Sequence, residues 1–185
     1  ISFAGKMTSF TAAGPDALSG ATPLAFMKAN PDAISKIDLG AAFLGRIPGT
    51  IGEVSKLCLL IGAAYLIIRK VISPKIPLIY IGTVAIFTLL FGGHGFDLYY
   101  VACELCSGGL IFGAFFMATD YVTSPITPLG QIIFAVMLGI LTGLFRLFGG
   151  SAEGVSYAII ICNILVPMIN VHTVPKAFGK EGAKA

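Results

Sequence analysis

Charge is what this chain has least of. Only 11% of its 185 residues are Asp, Glu, Lys or Arg, against about 25% in soluble domains, and so large a shortage excludes an ordinary water-facing globule. A nucleic-acid partner is excluded too, because the formal charge is only +3 and no stripe of Lys and Arg with interleaved aromatics occurs. Metal ligands are scarce. Cys103 and Cys106 form a C-x-x-C with no second pair and no nearby His, while Cys58 and Cys162 fall in other apolar runs. The four thiols read as small core residues, with an iron–sulfur cluster held between polypeptides as the other reading. No Ser-His-Asp set, catalytic carboxylate pair or Walker loop can be assembled, which argues against a hydrolase. The chain opens Ile-Ser-Phe, with no initiator Met and no signal-peptide pattern, as expected for a piece of a longer chain.

What is present is apolar. Hydrophobic residues make up 56% of the sequence and gather in five runs, each near the ~20 residues that cross ~30 Å of hydrocarbon. The first covers 51–68, opened by Thr50 and Glu53 at capping-box spacing and closed by Arg69 and Lys70. The second covers 76–91, with Pro77 in its first turn and Gly92-Gly93-His94-Gly95 as its stop. The third covers 98–118, the fourth 130–148 and the fifth 154–169, where Pro167 is expected to bend the helix. This pattern predicts an all-α integral membrane protein: an arm over 1–50, a five-helix bundle over 51–170 and a tail over 171–185.

Loop charges orient the bundle. Arg69, Lys70 and Lys75 lie between the first two runs, and five crossings bring Lys176, Lys180 and Lys184 to the same side, which should be cytoplasmic. Arg46, Lys56 and Arg146 speak against this orientation. The arm, the His94 turn and Gly149-Gly150 then face outward. Within the arm no run is long enough to span; a short helix is expected from Pro23 to Lys28, and Ile34, Ile37, Leu39 and Leu44 are suited to a membrane surface or a neighbouring protein.

Asp16-Ala17-Leu18-Ser19-Gly20-Ala21-Thr22 is a small-residue turn ending in a hydroxyl, where Gly20 permits backbone that bulkier residues resist. This D-x-x-S-G-A-T pattern, with 45–53 (GRIPGTIGE), 116–125 (FMATDYVTSP) and 163–167 (NILVP), resembles the RnfD membrane proteins of the Rnf electron-transport complexes over nearly the whole chain. The NqrB protein of the sodium-pumping NADH:quinone oxidoreductase is the relative of that family. The resemblance implies a flavin joined through the phosphate of FMN to the hydroxyl of Thr22, with Asp16, Ser19, Gly20 and Ala21 forming the motif read by a flavin transferase, and it leaves room for a second, non-covalent flavin. It further implies one half of an inverted-repeat bundle similar to urea transporters and an outward-facing, flavin-bearing arm in a bacterial or archaeal cell membrane. Other membrane and peripheral subunits would be its partners in passing electrons between ferredoxin and NAD, coupled to sodium or proton movement.

Ionisable groups inside the runs are the remaining candidates, since hydrocarbon tolerates them only with a partner or a watery path. At helical rise Glu104 lies roughly 9 Å in from the start of the third run, and Arg146 lies a short distance from the end of the fourth. A structural pair is one reading and a cation path the other. Gly108-Gly109 is expected to interrupt the third helix at mid-membrane depth, Asn163 to bond across helices, and Gly109-xxx-Gly113 and Gly139-xxx-Gly143 to pack closely. His94 reads as a turn residue, with a flavin or proton contact as the alternative, and His172 should fall just beyond the last helix. Two classes compete with an electron carrier: a urea- or ammonium-type channel and a purely structural membrane protein, neither of which needs flavin. Within the redox class, a quinone-reducing complex is the alternative.

Overall fold

The computed structural model describes residues 23–29, 38–46, 52–93, 96–150 and 153–175, and these are helical with no strand among them. Two short helices belong to the arm, α1 (Pro23–Ala29) and α2 (Leu39–Leu44); the rest are α3 (Lys56–Ile68), α4 (Lys75–Phe91), α5 (Leu98–Cys106), α6 (Leu110–Phe112), α7 (Pro128–Leu147) and α8 (Val155–Thr173). After Phe112 the chain continues as a π-helical turn over Gly113–Met117, where the Ala118 amide donates to the Gly113 carbonyl at 2.7 Å.

Local chemistry sets most boundaries. Asp97 caps α5 by accepting from the Tyr99 amide at 2.9 Å, and Thr127 caps α7 by accepting from Gly130 at 3.1 Å, with Pro128 as the first helical residue. α3 begins later than the capping-box spacing implied. Gly52 and Glu53 form a turn, Ser55 is the cap, and Glu53 precedes the helix; Thr50 itself lies outside the described residues. α8 runs past the expected end to Thr173, so His172 sits in its last turn, Nδ1 against the Met168 carbonyl at 2.8 Å.

By length and composition two helices can cross a membrane, α7 and α8, and a third crossing results if α5 and the Leu110–Met117 segment count as one bent span. The 13 residues of α3 and 17 of α4 rise about 20 and 26 Å, short of ~30 Å of hydrocarbon. The five expected spans are therefore present as helices, but the first two are shorter than full crossings. Their outward surfaces are apolar: Ile61 and Tyr65 of α3, Leu78 and Ile86 of α4, and Ile160 and Ile164 of α8 are all exposed. Water would oppose such a surface, whereas lipid or a neighbouring helix accepts it.

The core forms where α4, α7 and α8 meet the segment after the break, around Tyr80, Val84, Leu110, Phe134, Leu138 and Cys162. Gly139 and Gly143 let α4 approach α7: a Cβ at Gly139 would collide with the Thr83 side chain and one at Gly143 with the Phe87 ring. The Tyr80 hydroxyl meets Thr142 Oγ1 at 2.6 Å within this seam. Asn163 does not bond across helices through its carbonyl, which is buried without a partner among the described residues.

Candidate functional site

The charged residues singled out inside the apolar runs converge on a gap in one helix. α5 ends at Cys106, Ser107 turns extended, Gly108 takes φ +63°, and the chain restarts at Leu110 with its axis bent by 68°. Left-handed backbone at 108 suits glycine, and a Cβ there would also strike the Glu153 carboxylate. The break leaves carbonyls at the end of α5 and an amide end at the start of the next segment, so it presents opposite partial charges to its surroundings.

Cations meet the carbonyls. Arg146 Nη1 donates to the Glu104 carbonyl at 2.7 Å and to its carboxylate at 3.3 Å, and Nη2 donates to the Ser107 carbonyl at 3.3 Å. Lys56, only 2% exposed, donates to the Gly108 carbonyl at 2.7 Å and to the Glu53 carbonyl. Carboxylates meet the amide end. Glu153 accepts from the Gly109 amide and approaches Arg146 at 3.8 Å; a Cβ on Gly109 would come within 2.5 Å of the Glu53 carboxylate. Burial pushes the Glu153 carboxyl above its ordinary value and Glu53 adds to the rise, while Arg146 pulls it back.

Glu104 and Arg146, placed at matching heights by the sequence, are thus in contact, with side chains 6% and 2% exposed. Lys56 opens α3 and Gly113 lies against Val155, the first residue of α8, so the break sits beside the starts of those two helices. Glu153 escaped the sequence reading, which took Glu53 only as a cap and Lys56 only as a loop charge; the one signal for all three was a charged residue bordering an apolar run.

The two described helices of the arm, α1 and α2, lie at this same end. Leu24 and Met27 of α1 are buried against Tyr100 and Cys103 of α5, and Leu39 of α2 packs on them. Lys28 donates to the carbonyls of Arg146 (3.1 Å) and Gly149, at the end of α7, where a cation complements the helix dipole. Between α1, α4, α5 and α7 is a cavity of about 190 Å³, bordered by Lys28, Tyr100, Glu104 and Arg146. The attachment motif, Asp16, Ser19, Gly20, Ala21 and Thr22, lies outside the described residues, as does His94. All four cysteines are free, and no three of His, Cys, Asp or Glu among the described residues group to hold a metal.

The model of the NQR2, RnfD, RnfE family matches residues 1–179. The chain belongs to this family. Among curated relatives, it is 45% identical to the D subunit of the Na(+)-translocating ferredoxin:NAD(+) oxidoreductase complex of Acetobacterium woodii, over 100% of this chain and 58% of that protein. It is also 45% identical to the proton-translocating counterpart from Clostridium ljungdahlii, over 91% and 54%. The D subunit of an ion-translocating oxidoreductase complex from Stutzerimonas stutzeri is 37% identical over 90% and 49%. The chain thus spans about half the length of the family members it matches.

Proposed function

We propose that this chain is the flavin-bearing part of a membrane protein in an ion-translocating ferredoxin:NAD oxidoreductase, with FMN held on Thr22. One observation carries the reading: similarity to the RnfD-type proteins of such complexes extends along the entire chain. The Asp16 to Thr22 pattern supplies the hydroxyl and the uncrowded approach. FMN would be held by a phosphoester between its phosphate and Thr22 Oγ, and the bound flavin would accept electrons and pass them on. Fit is supported by the cavity beside α1, whose lining combines aromatic walls with Lys28 and Arg146. Other subunits of the complex and a flavin transferase are the proposed partners, and the arm is proposed to face outward.

In this reading the protein's own residues position and shelter. Lys28 and the Leu24–Met27 face seat α1 on the bundle, while Arg146 and Lys56 neutralise the broken helix. The short contact of Glu104 with Arg146 favours a structural pair over an ion path. Peptide mass spectrometry of protein made with an active flavin transferase should find FMN less water on Thr22. Thr22→Ala should abolish in-gel flavin fluorescence and Thr22→Ser should retain part of it. An unmodified Thr22 would overturn the attachment proposed here.

A further inference from the structure

The turn that joins α3 to α4 gathers cations with nothing beside them to balance the charge. Arg69, Lys70 and Lys75 are exposed there, and no Asp or Glu stands between Glu53 and Asp97 in the sequence. None of the three side chains is bonded or ion-paired to another group among the described residues. We propose that the α3–α4 hairpin binds an anionic phospholipid of the bilayer, with the phosphate held by Arg69, Lys70 and Lys75 and the acyl chains laid along the outer faces of the two helices.

The apolar half of such a site is on the same hairpin. Ile61, Tyr65 and Ile68 are exposed along α3, and their helical spacing puts them on one stripe. Arg69 follows Tyr65 by one turn and stands at the end of that stripe. On α4, Leu78 and Ile86 are exposed on either side of Gly82 in the sequence, where a Cβ would meet nothing within 4 Å; Lys75, the first residue of the helix, heads this face. Hydrocarbon covers both faces without burying a polar group, and a phosphate at their charged end gives the cations the charge-assisted partner that the protein does not supply. A water-soluble anion would use the cations and leave the apolar faces bare. A zwitterionic lipid would bring a further cation to three already present.

Helix length favours the same occupant. α3 and α4 fall short of a full crossing, and a short span is accommodated by thinning of the bilayer and by long cationic side chains at its ends that reach the headgroups. The turn is also held in one shape. The Lys70 amide donates to the Ile67 carbonyl at 2.9 Å and the Val71 amide to the Leu66 carbonyl at 3.0 Å, which keeps Lys70 at φ +56°, left-handed backbone where helices customarily end in glycine. Glycine at 70 would ease the turn and remove one of the three cations. Backbone strain of this kind gathers at ligand sites.

The test places a photo-reactive benzophenone side chain at Ile68 in the intact complex, reconstituted in vesicles of equal parts phosphatidylglycerol and phosphatidylcholine, and identifies the adducts by peptide mass spectrometry. Phosphatidylglycerol adducts should exceed phosphatidylcholine adducts several-fold. The same probe at Ile164, exposed on α8, should give a ratio near one. Arg69→Gln, Lys70→Gln and Lys75→Gln together should bring the Ile68 ratio down to that of Ile164, whereas Arg46→Gln, at an exposed cation beyond the other end of α3, should leave it unchanged. Should the triple variant fail to assemble, Lys70→Gly decides, because the left-handed turn accepts glycine; it should lower the ratio about two-fold. Equal ratios at Ile68 and Ile164, a ratio at Ile68 indifferent to the triple variant or to Lys70→Gly, or a cross-link from Ile68 to a protein chain would each overturn the proposal.

Discussion

Glu104 illustrates how a single carboxylate can be read twice. Its side chain is almost fully buried and faces Arg146 at 3.3 Å, and Arg146 simultaneously caps carbonyls of Glu104 and Ser107. Glu104→Gln should therefore destabilise the protein in detergent by about 3 kcal/mol, the lower end for breaking a buried pair, since Glu153 still faces the cation. A second change, Arg146→Met, should recover part of the loss in a thermal-unfolding cycle. Loss of ion coupling in liposomes at unchanged stability and flavin content would instead mark Glu104 as part of a cation path. Glu153 gives a pH signature. Its folded carboxyl titrates above the ordinary value, so between the ordinary and the raised value the folded state holds more protons than the unfolded one and stability falls as pH rises. Glu153→Gln should remove that decline from the melting temperature measured across mildly acidic pH, while a decline of equal slope would show that another group is responsible. The Gly108 backbone, free of a Cβ, is what leaves room for the Glu153 carboxylate.

Helices show where sequence reading succeeds and where it stops. The start and end of α4 follow from Pro77 and Gly92, because punctuation by proline and glycine is local, whereas the Thr127 cap and Pro128 start α7 two residues before the expected 130. The interruption at Gly108-Gly109 was legible for the same reason. The 68° bend that follows it was not, because the angle depends on how the two segments pack on their neighbours, and no spacing along the chain records it. The late start of α3 is likewise tertiary: Glu53 is drawn toward Gly109, and the cap passes to Ser55. Close packing of α4 on α7 was correctly implied by Gly139-xxx-Gly143. Gly139→Leu should cost about 1–3 kcal/mol through overpacking against Thr83 and the Tyr80 carbonyl; an unchanged melting temperature would mean the seam has space that the structure does not show.

On the scale of the molecule, the sequence made the membrane setting and the family recognisable, whereas the docking of the arm emerged only from the fold. Charge in the loops predicts the proposed orientation, with the arm outside and Lys70 within. A cysteine introduced at Ser9 should react with an impermeant maleimide on intact cells, and one at Lys180 should react only after lysis; the opposite pattern would invert the map. Lys28 links this topology to synthesis. Its acceptors, the carbonyls of Arg146 and Gly149, come 118 and 121 residues later, and the apolar side of α1 waits for Tyr100 and Cys103. At about 5–20 residues per second, a ribosome needs roughly 6–24 seconds to cover that interval. During that time α1 has left the ribosome ahead of the helices that will cover it. An enzyme that reads α1 would meet it free in the nascent chain and seated in the finished protein.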